Sequence, residues 1–285
     1  MKSCQSMLAA SVLATLLLAS GVWAQGPRTD VLVSGERGRS YHEFGSNLVK
    51  LLPAFRLENR ISSGSVENLG LLADGKADLG FAQADVYARS LRIAPDRYSK
   101  LVVVGRLVEE CVYLVRSREG SVENLKDLGE PVAGRAAKVA VGSEGSGMSA
   151  TWSLLSTLTP TLANAEVVHT GGVLSLNQLG LGLLDAVAWV SDPQNHSHVL
   201  LRAALGDPKL DLLPITEPAL EHALDDGTPI YRLRRVKLSD DDKGPELETL
   251  CTGALVLASP TANPRLVEAT SQALSLQRNA ILGWD

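Results

Sequence analysis

The stretch that most constrains the fold of this chain runs from Ser62 to Val86, SSGSVENLGLLADGKADLGFAQADV. Ser65 occupies the position of a helix N-cap, and the apolar residues after it recur at helical spacing, which predicts a short amphipathic helix. An Asp-Gly pair is expected to end that helix, and residues 77–82 predict a buried strand. The strand delivers Gln83 and Asp85 to its carboxyl end, which is where open α/β sheets bind ligands.

The segment GSVENLGLLADGKADLGFAQADV resembles the hallmark segment of the TAXI-type solute-binding proteins. These are the extracytoplasmic receptors of tripartite (TRAP) transporters, which are driven by an ion gradient and not by ATP. The resemblance implies a two-lobed α/β fold of the type II periplasmic-binding class, with no cofactor. It also implies a small organic solute as ligand and the membrane subunits of a TRAP permease as partner.

Beyond this segment, predicted strands and helices alternate along the chain, which indicates βαβ units and a mostly parallel sheet. The other predicted strands cover residues 29–34, 101–104, 138–142, 166–168, 185–191 and 211–213. The other predicted helices cover residues 41–51, 85–91, 148–158, 174–184, 193–205, 217–225 and 263–277. Residues 121–125 repeat the pattern of residues 65–69, and the simplest interpretation is a second helix cap.

Two extended runs interrupt this alternation, at Leu107–Arg116 and at Leu247–Ser259. We interpret them as strands that cross between two lobes, one outgoing and one returning. The first lobe is then expected to comprise residues 25–109 with 252–285, and the second lobe residues 110–251. Two α/β lobes joined by two crossings are the layout of a hinged binding protein.

The N-terminal residues 1–24 are predicted to be a signal peptide. Lys2 is a minimal basic region, residues 7–20 are apolar, and Ala24 is the small residue that signal peptidase requires. The alternative is an anchor that is not cleaved. The chain is therefore expected to be periplasmic, and its net charge of -5 provides no basic face for nucleic acid.

Two cysteines remain in the exported chain, Cys111 and Cys251, and both lie in strand-like sequence. An oxidising compartment favours a disulfide between them, and two buried free thiols are the alternative. In a two-lobed fold the two residues lie on the two crossings, so a bridge between them restrains the hinge.

Candidate ligand-binding residues in the first lobe follow from the hallmark segment. In the family the turn before the helix lines the pocket, and Gly64, Ser65 and Asn68 match it. The alternative for this turn is helix capping without a ligand. Gln83 offers both donors and acceptors to a carboxylate or amide, whereas Asp85 either contacts the ligand or caps the next helix.

The second lobe contributes the turn Gly145-Ser146-Gly147-Met148 between a strand and a helix. It resembles the Gly-Ser-Gly loop of the family, whose helix N-terminus binds an anionic group. Met148 stands where the family usually has Thr, so one hydroxyl is missing. A plain connection between strand and helix is the alternative.

Residues from two further segments complete the candidate site. Ser40 and Tyr41 match the first turn of the family, although the helical spacing also allows Tyr41 to be a core residue. Arg37 or Arg39 is either solvated or paired with a carboxylate of the ligand. Trp189 ends a predicted strand, where it either stacks on a ligand or packs in the core.

The sequence contains no motif that predicts catalysis. Ser146 does not lie in a Gly-x-Ser-x-Gly elbow, and no phosphate-binding loop or His-Glu-x-x-His pattern occurs. His196 and His198 are two residues apart without carboxylate or cysteine partners nearby, so we predict no metal there. The prediction is a receptor for a glutamate-like amino acid or a C4–C5 carboxylate. The alternatives are the ligand-binding subunit of a signalling system and a hydrolase of a small metabolite.

Overall fold

A computed structural model describes residues 28–223 and 229–284. The predicted signal peptide, residues 1–24, lies outside this described part, as does the end of the helix predicted over 217–225. Among the described residues, no helix has both the length and the apolar character needed to cross a bilayer.

Most strands are short and buried, as expected for a sheet that is covered by helices. In chain order they are β1 Asp30–Val33, β2 Leu57–Arg60, β3 Leu79–Gln83, β4 Val102–Ser117, β5 Lys138–Ala140, β6 Glu166–Val168, β7 Ala186–Ser191, β8 Leu210–Leu212, β9 His222–Ala223, β10 Pro229–Lys237 and β11 Glu246–Ala258.

The α-helices overlap the predicted ones, apart from two short helices that were not predicted. They are α1 Ser40–Leu51, α2 Ser65–Ala73, α3 Ala84–Ile93, α4 Pro95–Tyr98, α5 Gly147–Leu158, α6 Gly172–Gly180, α7 Val199–Gly206, α8 Pro264–Leu276 and α9 Arg278–Leu282. Three short 3-10 helices cover Leu125–Gly129, Pro160–Asn164 and Pro218–Leu220.

The strands form one mixed sheet in the order β2-β1-β3-β11-β4-β7-β5-β6. Each end of this sheet is parallel, β2-β1-β3 at one end and β7-β5-β6 at the other, whereas β3-β11-β4-β7 pair antiparallel in the middle. The first lobe contains β1–β3 with α1–α4, α8 and α9, and the second lobe contains β5–β10 with α5–α7. Strands β4 and β11 pass through both lobes. The prediction of a mostly parallel sheet is therefore correct only for the two ends.

Each lobe has an apolar core on both faces of the sheet. In the first lobe, Phe44 belongs to the core beneath α1, α8 and α9, and Leu72 to the core beneath α2 and α3. In the second lobe, Trp152 of α5 is buried on one face and Leu201 of α7 on the other. Burying a side chain of this size contributes about 1.5–3 kcal/mol, so each lobe has a substantial core of its own.

Strands β4 and β11 are the two crossings between the lobes, and they pair directly with each other. Cys111 of β4 lies opposite Cys251 of β11, and the structure joins the two in a disulfide that spans 140 residues of sequence. The crosslink therefore ties the outgoing crossing to the returning one, within the hinge.

The strands predicted over 101–104 and 107–116 both lie in extended structure, but the predicted break between them is wrong, because a single strand, β4, runs from Val102 to Ser117. No turn-forming residue apart from Gly105 interrupts the stretch. The pairing of β4 with β11 shifts register twice, between Ala254 and Leu255 and between Val256 and Leu257. Leu107 and Val104 of β4 are the extra residues at these shifts, which is how β-bulges let a strand continue.

Other boundaries also differ from the predictions. Helix α7 begins at Val199 and not at residue 193, because Pro193 follows Asp192 in a turn where the Gln194 N–H donates to the Asp192 carboxylate. The predicted helix over 217–225 is a 3-10 turn followed by β9. Strands β2 and β10 were not predicted.

The two similar segments at 65–69 and 121–125 are used differently. Ser65 is the first residue of α2, and Gly64, with a φ of 126°, occupies the N-cap position instead. In the second segment Asn124 caps a 3-10 helix, and Asp127 completes a capping box. The resemblance between the segments therefore does not reflect a structural repeat.

Candidate functional site

A cavity of about 170 Å³ lies between the two lobes, at the carboxyl ends of β1, β3, β5 and β7. Nine of the predicted site residues line it, and these are Ser40, Tyr41, Gly64, Ser65, Gln83, Ser146, Gly147, Met148 and Trp189. A cavity of this size is slightly larger than one of about 150 Å³ that accommodates benzene, so it is large enough for a small organic solute.

Four helices begin at this cavity, two from each lobe. The N-cap residues of α1, α2, α5 and α6 all line it, and these are Arg39, Gly64, Ser146 and Gly171. Only Ser146 caps its own helix through its side chain, by accepting from the Ser149 N–H at 3.3 Å. The first N–H groups of a helix and its dipole favour negative charge, so the cavity is suited to an anion.

The two glycine-serine turns meet across the cleft. A β-carbon on Gly64 would lie 3.7 Å from the Ser146 Cα, so the turn before α2 lies close to the turn before α5. A β-carbon on Gly147 would lie only 1.7 Å from the Gln83 Oε1. Glycine at position 147 therefore allows the lobes to approach as closely as they do.

The Glu110 side chain provides a buried acidic group at the cavity. It lies on β4, is 6% exposed, and accepts a hydrogen bond at 2.8 Å from the Tyr41 hydroxyl. Burial, which is the largest cause, together with the nearby carboxyls of Asp85 and Asp192 raises the pKa of Glu110 to about 7, although the Tyr41 bond opposes the shift. Burial also raises the pKa of Tyr41 well above its usual range, so Tyr41 remains a donor.

Three buried donors or acceptors at the cavity have no hydrogen-bond partner among the described residues. They are the Gln83 Nε2, the Trp189 Nε1 and the His198 Nδ1. Gln83 is 1% exposed and Trp189 is 6% exposed. Because buried polar groups are nearly always hydrogen-bonded in native proteins, these atoms are candidates for contacts with a solute or its water.

Trp189 is held in place by aromatic neighbours. Its ring stacks on Tyr113 with the ring centres 5.4 Å apart, and it also stacks on His198 with the ring centres 6.1 Å apart. Burial and the nearby Arg39 lower the pKa of His198 to about 4, so this imidazole is neutral at physiological pH. Core packing and a position at the ligand were predicted as alternatives for Trp189. The structure combines them, because Trp189 packs in the second-lobe core and also lines the cavity.

Asp85 lies outside the cavity and connects the lobes. It is fully buried at the start of α3, and it accepts hydrogen bonds from Thr151 of α5 at 2.6 Å and from Tyr231 of β10 at 2.7 Å. The Val86 N–H also donates to it. Burial raises the pKa of Asp85, and these hydrogen bonds oppose that shift only in part. The side chain therefore has a structural role between the lobes, which differs from both predicted roles.

Two other predicted site residues also lie outside the cavity. Asn68 is fully buried, and its amide donates to the backbone carbonyls of Ser34 and Phe81, so it ties α2 to the ends of β1 and β3. Gly145 does not line the cavity and has a φ of 77°, which makes it a turn residue facing Ser63.

Several residues at the cavity were not predicted, and some of them follow patterns visible in the sequence. The Thr170-Gly171-Gly172 turn between β6 and α6 has the same strand-turn-helix form as the predicted turns. Glu110 is an acidic residue that leads into the apolar run CVYLV, which is a recognisable anomaly. Of the two arginines predicted as alternatives, Arg39 lines the cavity and lies 3.8 Å from Glu36, whereas Arg37 does not line it. The other unpredicted lining residues include Gly35, Ser63, Gly142, Ser143, Ser175 and His198.

Solved structures resemble the chain at low sequence identity. A putative L-cystine ABC transporter from Listeria monocytogenes is 16% identical with a TM-score of 0.50, over 87% of this chain and 89% of that one. YhfZ from Shigella flexneri is 16% identical with a TM-score of 0.50, over 90% and 91% of the two chains. XAC2383 from Xanthomonas citri, bound to ATP, is 14% identical with a TM-score of 0.51, over 88% and 86%.

At these identities the likeness shows the fold alone, which is the α/β fold of periplasmic binding proteins and related Venus flytrap domains. A search of curated protein sequences gives no significant match. The model of one protein family, described as the NMT1-like family, matches residues 34–232 of the 285 in the chain. This match includes the hallmark segment, the cavity and most of both lobes, and the protein belongs to the NMT1-like family.

Proposed function

We propose that this protein is an extracytoplasmic receptor that closes around a small organic anion and delivers it to a membrane permease. One observation carries the proposal: four helix N-termini, two from each lobe, surround a single cavity at the cleft. Neither lobe alone presents all four. A solute that contacts both lobes therefore stabilises the closed arrangement.

Closure is the proposed mechanism. The bodies that move are residues 25–109 with 252–285, and residues 110–251, and they rotate about β4 and β11. Contacts made simultaneously to Ser65 and Ser146 exist only when the lobes are together, so binding shifts the population toward the closed state. A carboxylate at a helix N-terminus gains about 0.3–1 kcal/mol at an exposed position and up to about 2 kcal/mol when partly buried.

The proposed solute is a glutamate-like amino acid or a C4–C5 carboxylate. The cavity volume of about 170 Å³ suits a molecule of that size, and its neutral donors suit a carboxylate. Several contacts of this kind support a micromolar dissociation constant, which corresponds to a binding free energy of about -8 kcal/mol. The resemblance of residues 64–86 to the TAXI hallmark supports a TRAP permease, driven by an ion gradient, as the partner.

Isothermal titration calorimetry of the exported protein against amino acids and organic acids tests the binding function. We expect at least one tight ligand that is recovered chemically unchanged. The Gln83→Ala variant should weaken that binding about tenfold or more, because it removes a buried donor at the cavity. Gln272→Ala is the matched control, since Gln272 is exposed on α8 and does not line the cavity.

If a converted product is recovered in place of the ligand, the receptor proposal is wrong and the protein is an enzyme.

Uptake of the labelled ligand by cells that contain or lack this gene tests delivery. We expect uptake to depend on the gene and to stop when the ion gradient is collapsed. Uptake that continues without a gradient and requires ATP would contradict a TRAP partner.

A further inference from the structure

One oxygen of the Glu110 carboxylate accepts a hydrogen bond, and the other oxygen can accept a second one from a ligand. The Tyr41 hydroxyl donates to its Oε2, whereas no partner of its Oε1 is found among the described residues. The Oε1 atom is not fully enclosed, although the residue as a whole is only 6% exposed. The second carboxylate oxygen is therefore accessible from the cavity that Glu110 lines.

The charges around Glu110 do not neutralise it. The ionisable groups near it are Tyr41 of α1, Asp85 of α3 and Asp192 after β7, and the two acids repel a second negative charge. Among the described residues that line the cavity, Arg39 is the one side chain with a positive charge, and it lies beside Glu36. An unpaired buried carboxylate is expensive, so this site favours a ligand that brings a cation or a strong donor.

The same cavity also presents groups of the opposite character. The N-termini of α2, α5 and α6 begin there, and the Gln83 Nε2 and Trp189 Nε1 are unpaired buried donors beside them. These groups suit a carboxylate. The cavity therefore has an acceptor at Glu110 and donors at the glycine-serine turns, within a volume of about 170 Å³.

We propose that the solute is an amino acid whose protonated amine binds Glu110 while its carboxylate binds the glycine-serine turns. This inference rests on the proposed receptor function and narrows it. A dicarboxylate without an amine would place no donor at Glu110, and it would bring additional negative charge close to Asp85 and Asp192. Of the two proposed solute classes, the site selects the amino acid.

Calorimetry with matched ligand pairs tests this selection. L-glutamate is compared with glutarate, and L-glutamine with the analogue that lacks its α-amine. We expect each amino acid to bind the native protein at least tenfold more tightly than its analogue. In Glu110→Gln this preference should fall at least tenfold, while Glu109→Gln should preserve it, because Glu109 is on the same strand and pairs with Arg106 and Arg234 outside the cavity.

The outcomes separate the two proposals. If the analogues without an amine bind as tightly as the amino acids, or if Glu110→Gln keeps the full preference, the proposal of an amine site at Glu110 is wrong. The receptor proposal is then unaffected. If no amino acid or organic acid binds at all, the receptor proposal itself fails. If Glu110→Gln does not fold, the comparison of matched ligands on the native protein still tests the amine site, because it requires no variant.

Discussion

Gln83 of the first lobe occupies the space that a side chain at Gly147 of the second lobe would need. The contact joins the end of β3 to the N-terminus of α5, across the cleft. The size of the residue at position 147 therefore determines how closely the end of β3 can approach the start of α5. We expect Gly147→Ala to displace the Gln83 amide and to weaken ligand binding about tenfold, with little effect on the fold of either lobe.

Titration calorimetry of Gly147→Ala measures this effect. Gly180→Ala is the control, because a β-carbon at Gly180 in α6 would contact nothing within 4 Å. Equal affinities for the two variants would show that the close approach of Gln83 and Gly147 does not matter for binding.

The pH dependence of stability follows from the buried Glu110. Its pKa is raised from 4.5 to about 7 in the folded protein, so the folded state holds a proton that the unfolded state has already lost. Stability without ligand should therefore fall as pH rises from about 4.5 to 7. The loss amounts to a few kcal/mol at most, since one pKa unit corresponds to about 1.4 kcal/mol. Asp192, with its pKa raised to about 6, adds to the same trend.

Urea unfolding at a series of pH values checks this dependence. Glu110→Gln should have a shallower slope between pH 5 and 7 than the native protein, because the side chain no longer titrates. A native protein whose stability rises steadily over that interval would contradict the assignment of Glu110 as a buried acid with a raised pKa.

Removing one donor from Asp85 should destabilise the protein. Tyr231→Phe deletes one of the two hydroxyls that bond the buried carboxylate and leaves an oxygen of Asp85 less well satisfied. We expect a loss of about 1–3 kcal/mol in the free energy of unfolding. Tyr98→Phe is the control, since Tyr98 is half-buried and its hydroxyl has no partner among the described residues. Equal stabilities of the two variants would show that the bond contributes nothing.

Reduction of the disulfide should lower stability without removing ligand binding. The crosslink between Cys111 and Cys251 closes a long loop, so its loss should reduce the free energy of unfolding by roughly 2–5 kcal/mol. Urea unfolding with and without dithiothreitol measures the change. A double variant with serine at both positions should be insensitive to the reductant. An identical unfolding midpoint for the oxidised and reduced protein would rule out a stabilising role.

The glycine-serine turns were predictable because their chemistry is local. A glycine or serine between a strand and a helix places free N–H groups at a helix start, and Ser65 and Ser146 both lie in such turns. The sequence of residues 62–86 also indicates the helix and strand of the first lobe, since helical spacing and a buried run are visible without knowledge of the rest of the chain.

The roles of Glu110 and Asp85 were not predictable from local sequence. Glu110 acquires its role from Tyr41, which is 69 residues away, and Asp85 acquires its role from Thr151 and Tyr231. The pairing of β10 with β11 likewise depends on contacts between neighbouring strands, and the residues of β10 alternate arginine with apolar residues too weakly to identify a strand alone.

The strand pair β4-β11 limits how the molecule can move. A hydrogen-bonded ladder resists stretching and shearing along its length, whereas twisting and shallow bending change each bond only slightly. With Cys111 and Cys251 linked covalently, the two strands cannot slide past each other. If the lobes close as proposed, they therefore follow nearly the same path each time they come together, and a solute meets the same arrangement of turns at every encounter.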